Sequence, residues 1–188
     1  MNCTKKSKAR KLTKILAFGD SYVAGYGVDF DQCWVSRLEK ILDRPIANLG
    51  MNGAWITELC QMPPVLNEGD VLLVLGGAND LLGEGTVTQV LAAYEKLEAY
   101  ARERGARAVI IVPPIPEIVE DDLFVGMSMI VSLQEKLKEL NQKARGLHLE
   151  SVIPNDPALY IDGIHLMPKG HDMIAHAVYN YGKANGFF

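Results

Sequence analysis

Apolar residues along this chain fall into two alternating patterns. Short continuous runs of strand length are separated by longer stretches with apolar positions at helical spacing. Lys14 to Phe18 reads as a first strand. Gln32 to Leu42 (QCWVSRLEKIL) carries Trp34, Val35, Leu38, Ile41 and Leu42 on one stripe, so the spacing predicts a helix. Pro45 to Leu49 reads as a second strand, and Trp55 to Leu66 as a helix broken at Pro63-Pro64. Val71 to Leu75 (VLLVL) and Ala108 to Val112 (AVIIV) are continuous and β-rich, as strands buried on both faces should be. Between them Val87 to Arg104 predicts a long helix. Met127 to Ala144 predicts another, Leu147 to Val152 a last strand, and Pro168 to Lys183 a closing helix with proline near its start.

This β-α alternation predicts one α/β domain, a parallel sheet covered by helices on both faces. Ligands in such folds sit beyond the carboxyl ends of the strands, so the residues just after each strand are where chemistry is sought. After the first strand comes Gly19-Asp20-Ser21, and after the second Asn48-Leu-Gly-Met-Asn-Gly53. After the third comes Gly76-Gly-Ala-Asn-Asp80, and before the closing helix Asp162-Gly-Ile-His165.

Each segment has a plain structural use: Asp20 or Ser21 and Asn79-Asp80 as helix caps, Gly50 and Gly53 as turn glycines, Asp162 and His165 as a surface turn. Together, in order, they offer more. Ser21 is a nucleophile if a base takes its proton. His165 is the base that titrates near neutral pH. Asp162, three residues earlier, can reach the imidazole N–H and fix its tautomer. The Ser21 and Gly53 backbone N–H groups and the Asn79 amide are candidate donors to an oxyanion. Gly53 suits close approach because it lacks a Cβ.

With these four blocks the sequence resembles the GDSL, or SGNH, hydrolase family. The blocks read GDS (19–21), NLGMNG (48–53), GAND (77–80) and DGIH (162–165). The four letters of the second name fall on Ser21, Gly53, Asn79 and His165. The resemblance implies a flavodoxin-like three-layer α/β/α sandwich with a central parallel five-stranded sheet. It implies ester hydrolysis through an acyl-enzyme on Ser21, with Asp162 as triad acid and neither metal nor organic cofactor. Esterase, lipase-like, lysophospholipase, thioesterase and arylesterase activities all fit a small-molecule ester substrate. Two rivals are a carbohydrate O-acetyl esterase and a non-catalytic flavodoxin-like binding module. One departure stands out: Tyr22 follows the serine where the family name has leucine. Packing is the expectation there, with the substrate cleft as the other reading.

Composition narrows the picture further. The 188 residues, 48% hydrophobic, suffice for one core. Lys5, Lys6, Lys8, Arg10, Lys11 and Lys14 crowd the start, and without them 13 basic residues face 23 acidic ones, a balance of −10. Residues 1–13 read as a basic, disordered arm before a single domain over 14–188, and the acidic body excludes a nucleic-acid groove. No apolar leader precedes Gly19, no run is long enough to span a membrane, and Cys3, Cys33 and Cys60 lack metal or disulfide spacing, which fits a cytoplasmic protein.

His148, His171 and His176 read as structural or surface residues rather than metal ligands. Gly25 and Gly27 lack the third glycine of a dinucleotide fingerprint and read as shaping the loop beside Ser21. Pro113 to Gly126 is the longest irregular stretch, and its Ile115 and Phe124 are candidate acyl-pocket residues. Trp55 is a further candidate wall, with a core role as the other reading.

Overall fold

A computed structural model describes residues 13–116, 127–154 and 156–188. The basic arm expected over residues 1–13 therefore lies, Thr13 apart, outside the described residues.

Five strands, β1 (Ile15–Gly19), β2 (Ile46–Gly50), β3 (Val71–Leu75), β4 (Arg107–Val112) and β5 (Leu147–His148), form one sheet in the order β2-β1-β3-β4-β5. Every pairing is parallel. The order reverses direction at β1, the kind of switch point beyond which open α/β sheets bind their ligands. Side chains alternate across the sheet, as the two-residue period of a strand requires. Ile15, Ala17, Leu73, Leu75, Val109 and Ile111 face a core built with α2 (Trp34–Leu42) and α7 (Pro168–Ala184). Leu16, Phe18, Leu72, Val74, Ile110 and Val112 face the opposite core, built with α3 (Ile56–Leu59), α5 (Val87–Glu103) and α6 (Met127–Lys143). That is the three-layer α/β/α sandwich. Continuous apolar strands follow from it, because both faces are covered.

Local chemistry fixes the long helices. Thr86 and Gln89 form a reciprocal capping box at the start of α5, the Gln89 N–H reaching Thr86 Oγ1 at 3.3 Å and the Thr86 N–H reaching Gln89 Oε1 at 2.9 Å. Pro168 opens α7, where its missing N–H costs nothing. An Arg37–Asp172 ion pair at 2.7 Å joins α2 to α7.

Two elements are shorter than the sequence predicts. The helix expected over Trp55–Leu66 is only α3: Gln61 and Met62 follow it as turns bonded to Glu58 and Leu59, and Pro63 disfavours helical geometry at Met62. The strand expected over Leu147–Val152 is only β5. It is an edge strand paired with Ile111 and Val112, and beyond it Leu149–Ser151 turn into a 3-10 helix that buries Leu149. Two short helices go beyond the predicted elements: α1 (Ser21–Ala24) and α4 (Ala78–Leu82).

Candidate active site

Three neighbouring strands deliver three blocks to one edge of the sheet. β1 ends at Gly19, paired with Gly50 of β2 on one side and Leu75 of β3 on the other. Gly19 permits that closeness: a Cβ there would lie 1.7 Å from the Leu75 carbonyl oxygen. The next residue, Asp20, caps α1 by accepting the Tyr22 N–H at 3.0 Å. Ser21 thus sits at the first position of a helix, nearly buried, with its hydroxyl fixed in direction.

Ser21 Oγ lies 2.9 Å from Nε2 of His165, although 144 residues separate them. His165 Nδ1 lies 2.7 Å from Asp162 Oδ2. A carboxylate only accepts, so Nδ1 carries the proton and the Nε2 lone pair faces the serine hydroxyl. Asp162 also folds the loop that bears the histidine. Its Oδ1 accepts the His165 N–H at 2.7 Å and the Ile164 N–H at 3.1 Å. Burial works against charge on Asp162, but the His165 backbone, the His165 ring and the Ile164 N–H outweigh it and hold the carboxyl below its ordinary value. Asp162 therefore stays ionised beside the imidazole.

The second block is tied to the end of β1, and the third to the second. The Met51 N–H donates to the Gly19 carbonyl at 2.9 Å, which fastens the segment after β2 to the end of β1. Gly53 follows at φ +73°, a left-handed backbone that favours glycine, and the space a Cβ would enter is open. Asn79 on α4 donates one amide hydrogen to the Ala54 carbonyl at 3.1 Å, so the two loops share an edge. Asn79 and Asp80 lie inside the first turn of α4 after Gly77, instead of capping it. Asp80 instead caps α3 from 24 residues away, accepting the Ile56 N–H at 2.8 Å, the Thr57 N–H at 3.0 Å and the Thr57 hydroxyl at 2.6 Å.

Of the other candidate residues, Tyr22 is buried, and its hydroxyl donates to the Ile164 carbonyl at 2.7 Å. That bond links the helix bearing Ser21 to the residue preceding His165. Trp55 is half-buried with its indole against Gly83. Ile115 is half-buried against the α5–α6 core, and its carbonyl accepts the Tyr160 hydroxyl at 3.0 Å. Phe124 lies outside the described residues.

One participant escapes the sequence patterns, and two residues read there as a helix cap and a structural histidine are buried titratable groups. Tyr26 lays its ring 4.4 Å, centroid to centroid, from the His165 imidazole, and nothing marks it in the sequence beyond its place between Gly25 and Gly27. Asp20 is buried, and its Oδ2 has no hydrogen-bond partner among the described residues. Burial, with Asp80 nearby, pushes its carboxyl up to about 7 against the pull of the Tyr22 N–H. His171 is buried, and its Nδ1 accepts the Trp34 N–H at the start of α2. Burial first, then the charges of Arg37 and His165, bring it down to about 4. Its role is structural, as a cap supplied from another helix. His148 bonds Asn141, and the exposed His176 lies 3.9 Å from Asp172.

The fold and the family together define an ester hydrolase on a flavodoxin-like sheet. Residues 17–173 match the GDSL-like Lipase/Acylhydrolase family, and the chain belongs to it. An arylesterase of Vibrio mimicus is 28% identical over 177 residues, covering 88% of this chain and 86% of that protein. Among solved structures, the native aryl esterase of M. smegmatis superposes with a TM-score of 0.69 at 16% identity, over 94% of this chain and 100% of that one. The lipase/acylhydrolase of Enterococcus faecalis gives 0.64 at 21% identity, over 93% and 97%. Among the described residues, no helix is long and apolar enough to cross a membrane.

Proposed function

We propose that this hydrolase cleaves carboxylic esters through an acyl-enzyme on Ser21. The observation that carries the reading is the unbroken hydrogen-bonded relay from Ser21 Oγ through His165 to Asp162. Ser21 attacks the ester carbonyl as its proton passes to His165 Nε2, and Asp162 stabilises the imidazolium that forms. The tetrahedral oxyanion is held by the Ser21 and Gly53 N–H groups and by the Asn79 amide, whose second hydrogen is not used by Ala54. His165 then protonates the leaving alcohol. A water, activated by the same imidazole, attacks the acyl-serine and releases the acid.

The arylesterase relative makes aryl esters the first substrates to try. The test is hydrolysis of p-nitrophenyl esters from acetate to palmitate, wild type beside Ser21→Ala. The expected result is turnover that falls by at least about a thousandfold in the variant, the scale set by losing a triad member. Equal turnover by folded Ser21→Ala would end the serine mechanism.

A further inference from the structure

The wall beside the base is apolar and half-open. Tyr26 is 47% exposed, yet its ring is held on the His165 imidazole at 4.4 Å with the planes inclined by 41°. Its backbone is fixed, because the N–H groups of Gly25 and Tyr26 both donate to the Ser21 carbonyl, at 3.0 and 3.1 Å. Next to it Ile161 packs on Gly27, where a Cβ would lie 2.5 Å from Ile161 Cδ1. Ile161 is itself 43% exposed, and its N–H donates to the His165 carbonyl at 2.7 Å. Tyr26 is thus anchored to the residue that bears the nucleophile and Ile161 to the residue that bears the base. Both keep a large part of their apolar surface uncovered.

Chemistry says what comes to that surface. If His165 gives its proton to the leaving oxygen, that oxygen must come within hydrogen-bond reach of Nε2. The group attached to it then lies a few ångströms from the imidazole, against which the Tyr26 ring is held. Aromatic and apolar groups gain from an exposed tyrosine face, and the acyl chain leaves the carbonyl carbon in another direction. Resting on the serine-esterase reading above, we propose that Tyr26, with Ile161, forms the alcohol-side wall and selects esters whose alcohol is aromatic or apolar.

The experiment uses two substrate pairs with wild type, Tyr26→Phe, Tyr26→Ala and Ser21→Ala. Benzyl and ethyl acetate vary the alcohol at similar acidity, and p-nitrophenyl hexanoate and acetate vary the acyl chain. Tyr26→Ala is expected to lower the benzyl-to-ethyl ratio of kcat/KM by about two- to tenfold, the scale of one aromatic contact. Tyr26→Phe should hold that ratio within about twofold, since it keeps the ring. The hexanoate-to-acetate ratio should stay unchanged in both. A benzyl-to-ethyl ratio untouched by Tyr26→Ala would overturn the proposal, and so would a shift confined to the acyl pair. Because Tyr26 is half exposed and Tyr26→Phe keeps its volume, misfolding does not mimic either result. Hydrolysis that survives in Ser21→Ala would instead sink the serine-esterase reading itself.

Discussion

Ser21 and His165 face each other at 2.9 Å, but the backbones that carry them are fixed in different ways. The Ser21 turn grows out of the central sheet. Gly19 lies against the Leu75 carbonyl, Met51 ties the next loop to Gly19, and Asp20 caps α1 from a buried position. The His165 loop follows no strand directly: its flanks Leu159, Tyr160 and Leu166 are buried in the α2–α7 core, and hydrogen bonds shape the turn between them. Asp162 accepts two of the loop's own N–H groups, Ile161 closes it on the His165 carbonyl, and Tyr22 reaches up from α1 to the Ile164 carbonyl. In one region close packing around Gly19 and Asp20 sets where Ser21 sits. In the other a handful of hydrogen bonds, centred on one carboxylate, orients His165. Ser21 itself apart, substitutions in the first should cost stability, and those in the second should cost rate.

Asp162→Asn tests the second half most severely. An amide in place of the carboxylate favours the wrong imidazole tautomer and leaves the imidazolium without a counter-charge. Its kcat should fall by about 10³- to 10⁴-fold, with KM and melting temperature little changed. A loss mainly in melting temperature would mean that Asp162 serves the loop alone.

Asp20 probes the buried half through pH. Its folded-state carboxyl is raised to about 7 from an ordinary 3.8, so between those values the native protein holds a proton that the unfolded chain has released. Stability from this group therefore declines as pH rises from about 4 to about 7, by as much as ~4 kcal/mol, and then levels off. His171 runs the other way. Lowered to about 4, it stays neutral where an unfolded histidine is protonated, so its contribution improves as pH rises from about 4 to 6.5. Asp20→Asn keeps an acceptor for the Tyr22 N–H and removes the titration. In urea unfolding across this range, the stability of Asp20→Asn relative to wild type should climb with pH and flatten above 7. A difference independent of pH would show that Asp20 is not a buried acid.

Gly19→Ala sharpens the comparison from the packing side. Its Cβ meets backbone, which cannot step aside, so the variant should lose at least about 3 kcal/mol and melt roughly 6–12 °C lower. A fully stable variant would show that the end of β1 can shift.

The smallest effect is expected from Tyr22→Phe. Removing one hydroxyl leaves the Ile164 carbonyl without its partner, at about 1 kcal/mol of stability and a severalfold drop in kcat at constant KM. Full activity would show that the His165 loop stands without this strut.

Much of this was legible before any coordinates. VLLVL and AVIIV announce strands covered on both faces, and the first three blocks arrive at one edge because a parallel sheet aligns its carboxyl ends, while the fourth comes from the loop before α7. Asp162 and His165 could be paired by their spacing alone. What stayed hidden is tertiary or too short to leave a period. Helices α1 and α4 span four and five residues, little more than a turn each. Asp80 caps α3, His171 caps α2 and Tyr22 grips Ile164 across 24, 137 and 142 residues, and no local pattern encodes such partners. Tyr26 is the instructive case: in the sequence it separates two loop glycines, and in the fold it lies against the His165 imidazole.

The central claim is that Ser21 is a nucleophile activated by His165. A fluorophosphonate forms a covalent adduct only with such a serine, so intact mass and peptide mapping after labelling test it directly. One adduct per chain, on Ser21, lost in Ser21→Ala and strongly slowed in His165→Ala, is the predicted result. Ester hydrolysis by a protein that remains unlabelled, or that carries the label elsewhere, would contradict it.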